Sequence, residues 1–130
     1  MKSRENLLRL KHFQVEDKTR QLTQIELMVQ ELGKMADELS AQIRIEEDKS
    51  GIADPAHFAY PTFAKAARLR RDNLHGSIRD LNIRREAAAA TLAEAEEELK
   101  KAMMIDSRDA NTAAGEAAVD ARAESRAMIG

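Results

Sequence analysis

From position 8 to position 43 an apolar side chain recurs at every seventh residue: Leu8, Val15, Leu22, Val29, Ala36 and Ile43. Ile25, Leu32 and Leu39 stand three residues further along their repeats and form a second line, which Lys11 and Lys18 interrupt toward the N-terminus. A period of 3.5 residues held over this many turns keeps its apolar line on one side only when the helix winds against another. The first predicted element is therefore a long helix over about residues 3–49, capped by Ser3, with Glu5 in the first turn favourably placed against the helix dipole. Lys49-Ser50-Gly51 ends it: Gly51 suits the left-handed position past a helix end, and Ile52 is placed to fold back on the last turn.

The linker over residues 50–61 holds both prolines of the chain, each of which pushes the residue before it, Asp54 or Tyr60, away from helical angles. Asp54-Pro55 fits a cap and first helical position, which predicts one short helical turn inside the linker. Helix two is predicted from about residue 62, with a seam of Ala67, Leu74, Leu81, Ala88, Ala95 and Ala102 alternating with Ile78, Arg85, Leu92 and Leu99. Met28 and Met35 sit beside the seam of helix one, where core filling is the simplest role for them. A turn near residue 55 makes antiparallel partners whose numbers total about 110, so Ile43 falls near Ala67 and Lys18 near Leu92. Lys11, Lys18 and Arg20 then approach Glu94, Glu96, Glu97 and Glu98, and such complementarity selects the antiparallel alignment more than it stabilises it. The predicted fold is all-α, an antiparallel two-helix coiled-coil hairpin over residues 1–107. An Ala-rich C-terminal tail, 108–130, follows as a frayed or single-helix extension with Gly115 inside it.

Composition supports this architecture. Aromatics are 3% of the chain, too few to fill a globular core, while most of its mass lies in Ala, Leu, Glu, Arg and Lys, the strong helix formers. A formal net charge of −2 does not call for a polyanion or an anionic membrane as partner. The chain has no cysteine, which excludes disulfides and thiolate metal sites. No apolar stretch approaches the ~20 residues needed to span a bilayer, and charges run through the N-terminal segment where a signal peptide would need an apolar core. These features predict a soluble, unexported chain with no direct membrane insertion.

Candidate chemistry is sparse. His12, His57 and His75 are far apart and have no acid at a ligand spacing, so solvated or partly packed histidines are expected rather than a metal site. No phosphate loop, nucleophile elbow or isolated acid pair is present, and two helices offer no pocket that would dehydrate a reaction; neither a cofactor nor an enzyme is expected. Arg68, Arg70, Arg71, Arg79, Arg84 and Arg85 are interleaved with Asp72, Asp80 and Glu86, the pattern of a solvated face rather than a nucleic-acid stripe. Arg85 differs in occupying an inner position, where a charge fixes register or meets an acid. Phe58, Tyr60 and Phe63 cluster at the hairpin tip, and two readings of them stay open: binding anchors, or a plug that covers Ile43 and Ile45.

Leu7-x-x-Leu10 followed by Glu16-Asp17 and Leu22, the two long helices, and the segment HFAYPTFAKA with its spaced aromatics together resemble the FliJ family of flagellar type III export proteins. The resemblance covers roughly the first 105 residues. It implies an antiparallel coiled coil similar to the central stalk of rotary ATPases, whose helical ends enter the ring of the export ATPase hexamer and promote its assembly and activity. It further implies a contact with the cytoplasmic domain of the membrane export gate, export chaperones as additional partners, and a location in the cytoplasm, peripheral to the inner face of the cell membrane at the flagellar base. By this resemblance the gate-binding strip is Phe63, Ala67, Arg70 and Leu74. Phe63 matches the family's aromatic, whereas Ala67 is smaller, Arg70 charged and Leu74 more apolar than the family pattern. Leu7, Leu10, Lys11 and Glu16 are the candidates for the ATPase ring. A structural homodimerisation or linker module, and a holdase-type chaperone, are the alternatives that the residues alone leave open.

Overall fold

The structure, a computed structural model, describes residues 2–129, with side chains through Arg126. They form two α-helices, α1 (Lys2–Ser50) and α2 (Thr62–Ile129), which pack against each other as an antiparallel hairpin, and no strand occurs among the described residues. The chain divides into two compact units, Arg20–Ala90 and the pair Met1–Thr19 with Thr91–Gly130.

In the unit over 20–90, Ile25, Ala36 and Ile43 of α1 are buried, and Leu22, Val29, Leu32 and Leu39 are half-buried, so both predicted lines of helix one form the contact. From α2 come Ala64, Ala67 and Leu81, buried, with Arg71, Leu74 and Ile78 half-buried between them. Ala64 is 0% exposed, because a methyl group lets the two backbones close over it. Arg71 donates from a terminal guanidinium nitrogen to Ser40 Oγ at 3.2 Å, a pair in the predicted register. Arg85 departs from expectation: it is exposed, and it lines a shallow groove with Glu26, Leu27 and Val29 of α1. A long side chain rooted at the seam carries its charge out to water while its stem covers apolar surface, which is cheaper than burying a guanidinium.

The end of α1 follows the predicted chemistry. Gly51 adopts φ 73° and donates its N–H to Glu47 O at 2.9 Å, the bond of a left-handed cap, while Ile52 N–H is taken by Ser50 Oγ at 3.1 Å. The expected helical turn after Asp54 is absent. Asp54 instead accepts Ala56 N–H on Oδ1 at 3.0 Å and His57 N–H on its carbonyl at 3.1 Å, and Tyr60 N–H then bonds His57 O at 3.0 Å. The short carboxylate satisfies the backbone locally and folds the linker into consecutive tight turns. Pro61 carbonyl accepts Lys65 N–H at 3.0 Å and opens α2.

In the other unit the α1 residues Leu8, Lys11, Val15 and Lys18 are half-buried against Leu92 and Leu99, half-buried, and Ala95 and Ala102, buried. Arg4 Nε stands 2.8 Å from Asp106 Oδ1, and Lys11 Nζ stands 2.9 Å from Glu98 Oε2. Their numbers total about 110, as do those of Ser40 and Arg71 in the unit over 20–90. Ser3 is not the cap: α1 already includes Lys2, so Ser3 belongs to the first turn. α2 continues as helix past the partner segment, and every side chain from Ser107 to Arg126 is exposed. Of the Ala-rich tail, the side chains of 127–129 and all of Gly130 lie outside the described residues.

Truncating Ile43, which is 2% exposed, to Ala is expected to cost about 2–4 kcal/mol in urea unfolding. Gly33→Ala is expected to add about 0.5–1 kcal/mol, since a methyl there is a better helix former and meets nothing within 4 Å. A neutral Ile43→Ala, or a destabilising Gly33→Ala, contradicts the packing described.

Candidate functional site

The strip expected on helix two is split by the fold. Phe63, in the first turn of α2, is 54% exposed, but Ala67 is 3% exposed and spends its methyl group on the seam, so it offers no side chain to a partner. Arg70 is exposed and Leu74 half-buried, and the two share a groove of about 420 Å³ with Met35, Glu38, Leu39 and Gln42 of α1. The structure thus brings Arg70 and Leu74 together with residues of the first helix that no reading of the second alone would include. Leu39 and Leu74 are the groove's half-buried apolar members, and the exposed Glu38 and Arg70 bring opposite charges to its lining.

Met35 joins this groove because it stands one residue before the seam position Ala36. Met28 has the same relation to Val29, and the two methionines are 42% and 46% exposed, which corrects their expected core-filling role. A side chain displaced by 100° from the contact line flanks the seam rather than entering it. The spacing of the two methionines was the signal available in the sequence.

The aromatic cluster divides between its two readings. Tyr60 is buried at 7% exposure, its hydroxyl donating to Glu47 Oε2 at 3.2 Å and accepting from Arg68 Nε at 3.0 Å, with Arg68 and Glu47 paired at 3.8 Å. This junction ties the last turns of α1 to the first turns of α2. Ile43 is covered, whereas Ile45 remains 52% exposed. Phe58 is 96% exposed and touches His57, its ring stacked at 4.7 Å, while His57 Nδ1 accepts Ala59 N–H at 3.0 Å. Phe58 and Phe63 therefore keep the binding reading, and Tyr60 takes the structural one.

In the other unit Leu7 and Leu10 are 45% and 49% exposed and Glu16 is exposed. Lys11 is different, half-buried and engaged with Glu98. Phe13, 57% exposed and absent from the expected set, enters a groove of about 410 Å³ with Lys18, Glu94, Ala95 and Glu98. Seven residues separate neither Leu7 nor Leu10 from Phe13, yet their spacing of three places all of them on the outward side of α1.

Among the described residues no group of three or more His, Asp or Glu side chains is placed to hold a metal ion, and no helix is long and apolar enough to cross a membrane. The surfaces have the chemistry of contact: half-exposed apolar side chains beside fixed charges.

Among the described residues Glu98 is the one group whose acidity is clearly moved. The hydrogen bond from Lys11, then the charge of Lys11, hold its carboxyl below the usual range, with Lys101 adding a smaller push in the same direction. A lowered folded-state value means that the pair stabilises the fold above the ordinary carboxylate range and loses that contribution as pH falls through the lowered value. Lys11→Gln is expected to return Glu98 toward ordinary acidity in a side-chain NMR titration; an unchanged midpoint removes Lys11 as the cause. No family model, curated protein or solved structure matches the chain, so what these surfaces do is argued from their own chemistry.

Proposed function

We propose that the chain is a non-enzymatic coiled-coil adaptor of flagellar protein export. In this reading it binds the export ATPase ring, promotes the ring's assembly and activity, and links it to the cytoplasmic domain of the membrane export gate and to export chaperones. Its place is the cytoplasm, peripheral to the membrane at the flagellar base, and its role supports flagellum assembly and motility. The FliJ-like pattern of the sequence supplies the identity of the partners. Physical support comes from the way the fold spends its side chains: one face of each helix goes into the seam, and other faces keep apolar residues in water.

The observation that carries the reading is Phe63. A ring that is 54% exposed, fixed at the start of a helix whose first turns are held by the Tyr60, Glu47 and Arg68 junction, loses little freedom when it is covered. Next along this flank of α2 is the groove of Met35, Leu39 and Leu74, with Arg70 and Glu38 to orient what enters. Leu7, Leu10 and Phe13 form the second apolar set, and they are assigned to the ATPase.

Phe63→Ala is expected to leave helicity intact and to weaken retention of the gate's cytoplasmic domain in a pull-down by roughly tenfold, the loss of one aromatic anchor. Adding the parent chain to the purified export ATPase is expected to raise ATP turnover, and a Leu7→Ser, Leu10→Ser double variant is expected to raise it less. Equal gate retention by Phe63→Ala and parent, together with unaltered ATP turnover, contradicts the adaptor role.

A further inference from the structure

Leu69, Gly76 and Ile83 recur at every seventh position of α2, two residues before the seam positions Arg71, Ile78 and Arg85, on the side of the helix turned away from α1. Leu69 is 64% and Ile83 67% exposed. Between them Gly76 carries no side chain of its own, and only the flexible end of Arg79 reaches over it, 3.7 Å from where a Cβ would stand. A shallow hole of about 520 Å³ opens beside Leu69, bounded by Lys65, Arg68, Leu69 and Asp72, with Thr62, Ala66 and Pro55 lining its far end. Those four helical positions form the diamond that accepts a knob from a facing helix.

Charge along the same face specifies the knob's owner. Lys65, Asp72, Arg79 and Glu86 follow one another at the seven-residue spacing with alternating sign, all exposed and none in an ion pair among the described residues. Neighbours in this row are about 10 Å apart along the axis, too far to neutralise each other. Reversed end for end, the row becomes its own complement. A second α2 laid antiparallel, with the two-fold axis between His75 and Gly76, sets Lys65 against Glu86 of the second copy and Asp72 against Arg79 of the second copy. Each of these pairs occurs twice, as a two-fold contact requires. The same alignment brings Ile83 of the second copy to the hole beside Leu69. A parallel copy in register sets like charges against like.

We propose that this outer face of α2 is a self-association surface, on which a second copy of the chain packs antiparallel, Ile83 of each entering the hole beside Leu69 of the other. Phe63 and Arg70 lie about a third of a turn around the helix from this face, so pairing leaves the gate-facing flank open and stands independently of the adaptor role. One helix pair over residues 62–86 buries less than a standard interface of ~1,200–2,000 Å², so the dimer is expected to be weak and transient.

Sedimentation of the full chain at low ionic strength, from micromolar to millimolar concentration, tests this with Asp72→Arg, Arg79→Asp and the two combined. Each single change opposes like charges twice across the contact, and roughly tenfold weaker dimerisation is expected. The double variant restores the opposite signs and is expected to dimerise as the parent does. Rescue of this kind cannot arise within one chain, where positions 72 and 79 are two turns apart. Circular dichroism of each variant separates lost pairing from lost folding. A parent that stays monomeric throughout, a dimer indifferent to either single change, or a double variant no better than the singles overturns the proposal.

Discussion

Ala36, Ala64, Ala67, Ala95 and Ala102 are buried where many helix pairs carry leucine, and everything else in this molecule depends on the close approach they permit. Small side chains let the backbones come near enough for Ile25, Ile43 and Leu81 to be enclosed from both sides, although among the described residues no large side chain is wholly covered. An alanine methyl contributes little transfer free energy by itself. Its value here is geometric, because it brings the larger residues of α1 into contact over their full length. Only one stripe of each helix is needed for this, and most of the surface stays outside the contact.

Polar groups set the alignment that the seam leaves degenerate. A heptad seam can slide by seven residues and still bury apolar groups, but Arg4 with Asp106, Lys11 with Glu98, and Arg71 with Ser40 meet in one alignment alone. At the tip, Tyr60 shares its hydroxyl between Glu47 and Arg68 and holds the turn closed. Gly51, at φ 73°, is the residue that lets the chain leave α1 in the direction this closure requires. Each such contact is modest, and their joint effect is specificity of register rather than bulk stability.

The heptads of the first helix made the seam legible, and the turn near residue 55 made the register legible, because both are consequences of periodicity and chain continuity. Arg85 was placed on the right line but not in the right environment: periodicity locates a Cα, and a flexible cation then chooses water. Met28 and Met35 depart from core filling for the complementary reason, since a position one residue off the line looks apolar in sequence while it is half-exposed in fact. Asp54-Pro55 suits a helix start and an Asx turn equally well, and the bond from Ala56 N–H to Asp54 Oδ1 is what makes it the turn. Of the expected strip, Phe63 kept its exposure, but the seam took Ala67, and the groove beside Leu74 needed Met35 and Leu39 from the other helix. A site made by two helices is read from one of them only in part.

The antiparallel seam itself is open to direct measurement, because the native chain has no cysteine to interfere. Cysteines placed at Ala36 and Leu74 sit in register, whereas Ala36 paired with Ala67 is displaced by one heptad. Mild oxidation followed by non-reducing mass analysis is expected to join the first pair within single chains and to leave the second largely open, since a disulfide needs Cα atoms within about 7 Å. Equal closure of both pairs, or closure of the displaced pair alone, would contradict the alignment on which the fold and its surfaces rest.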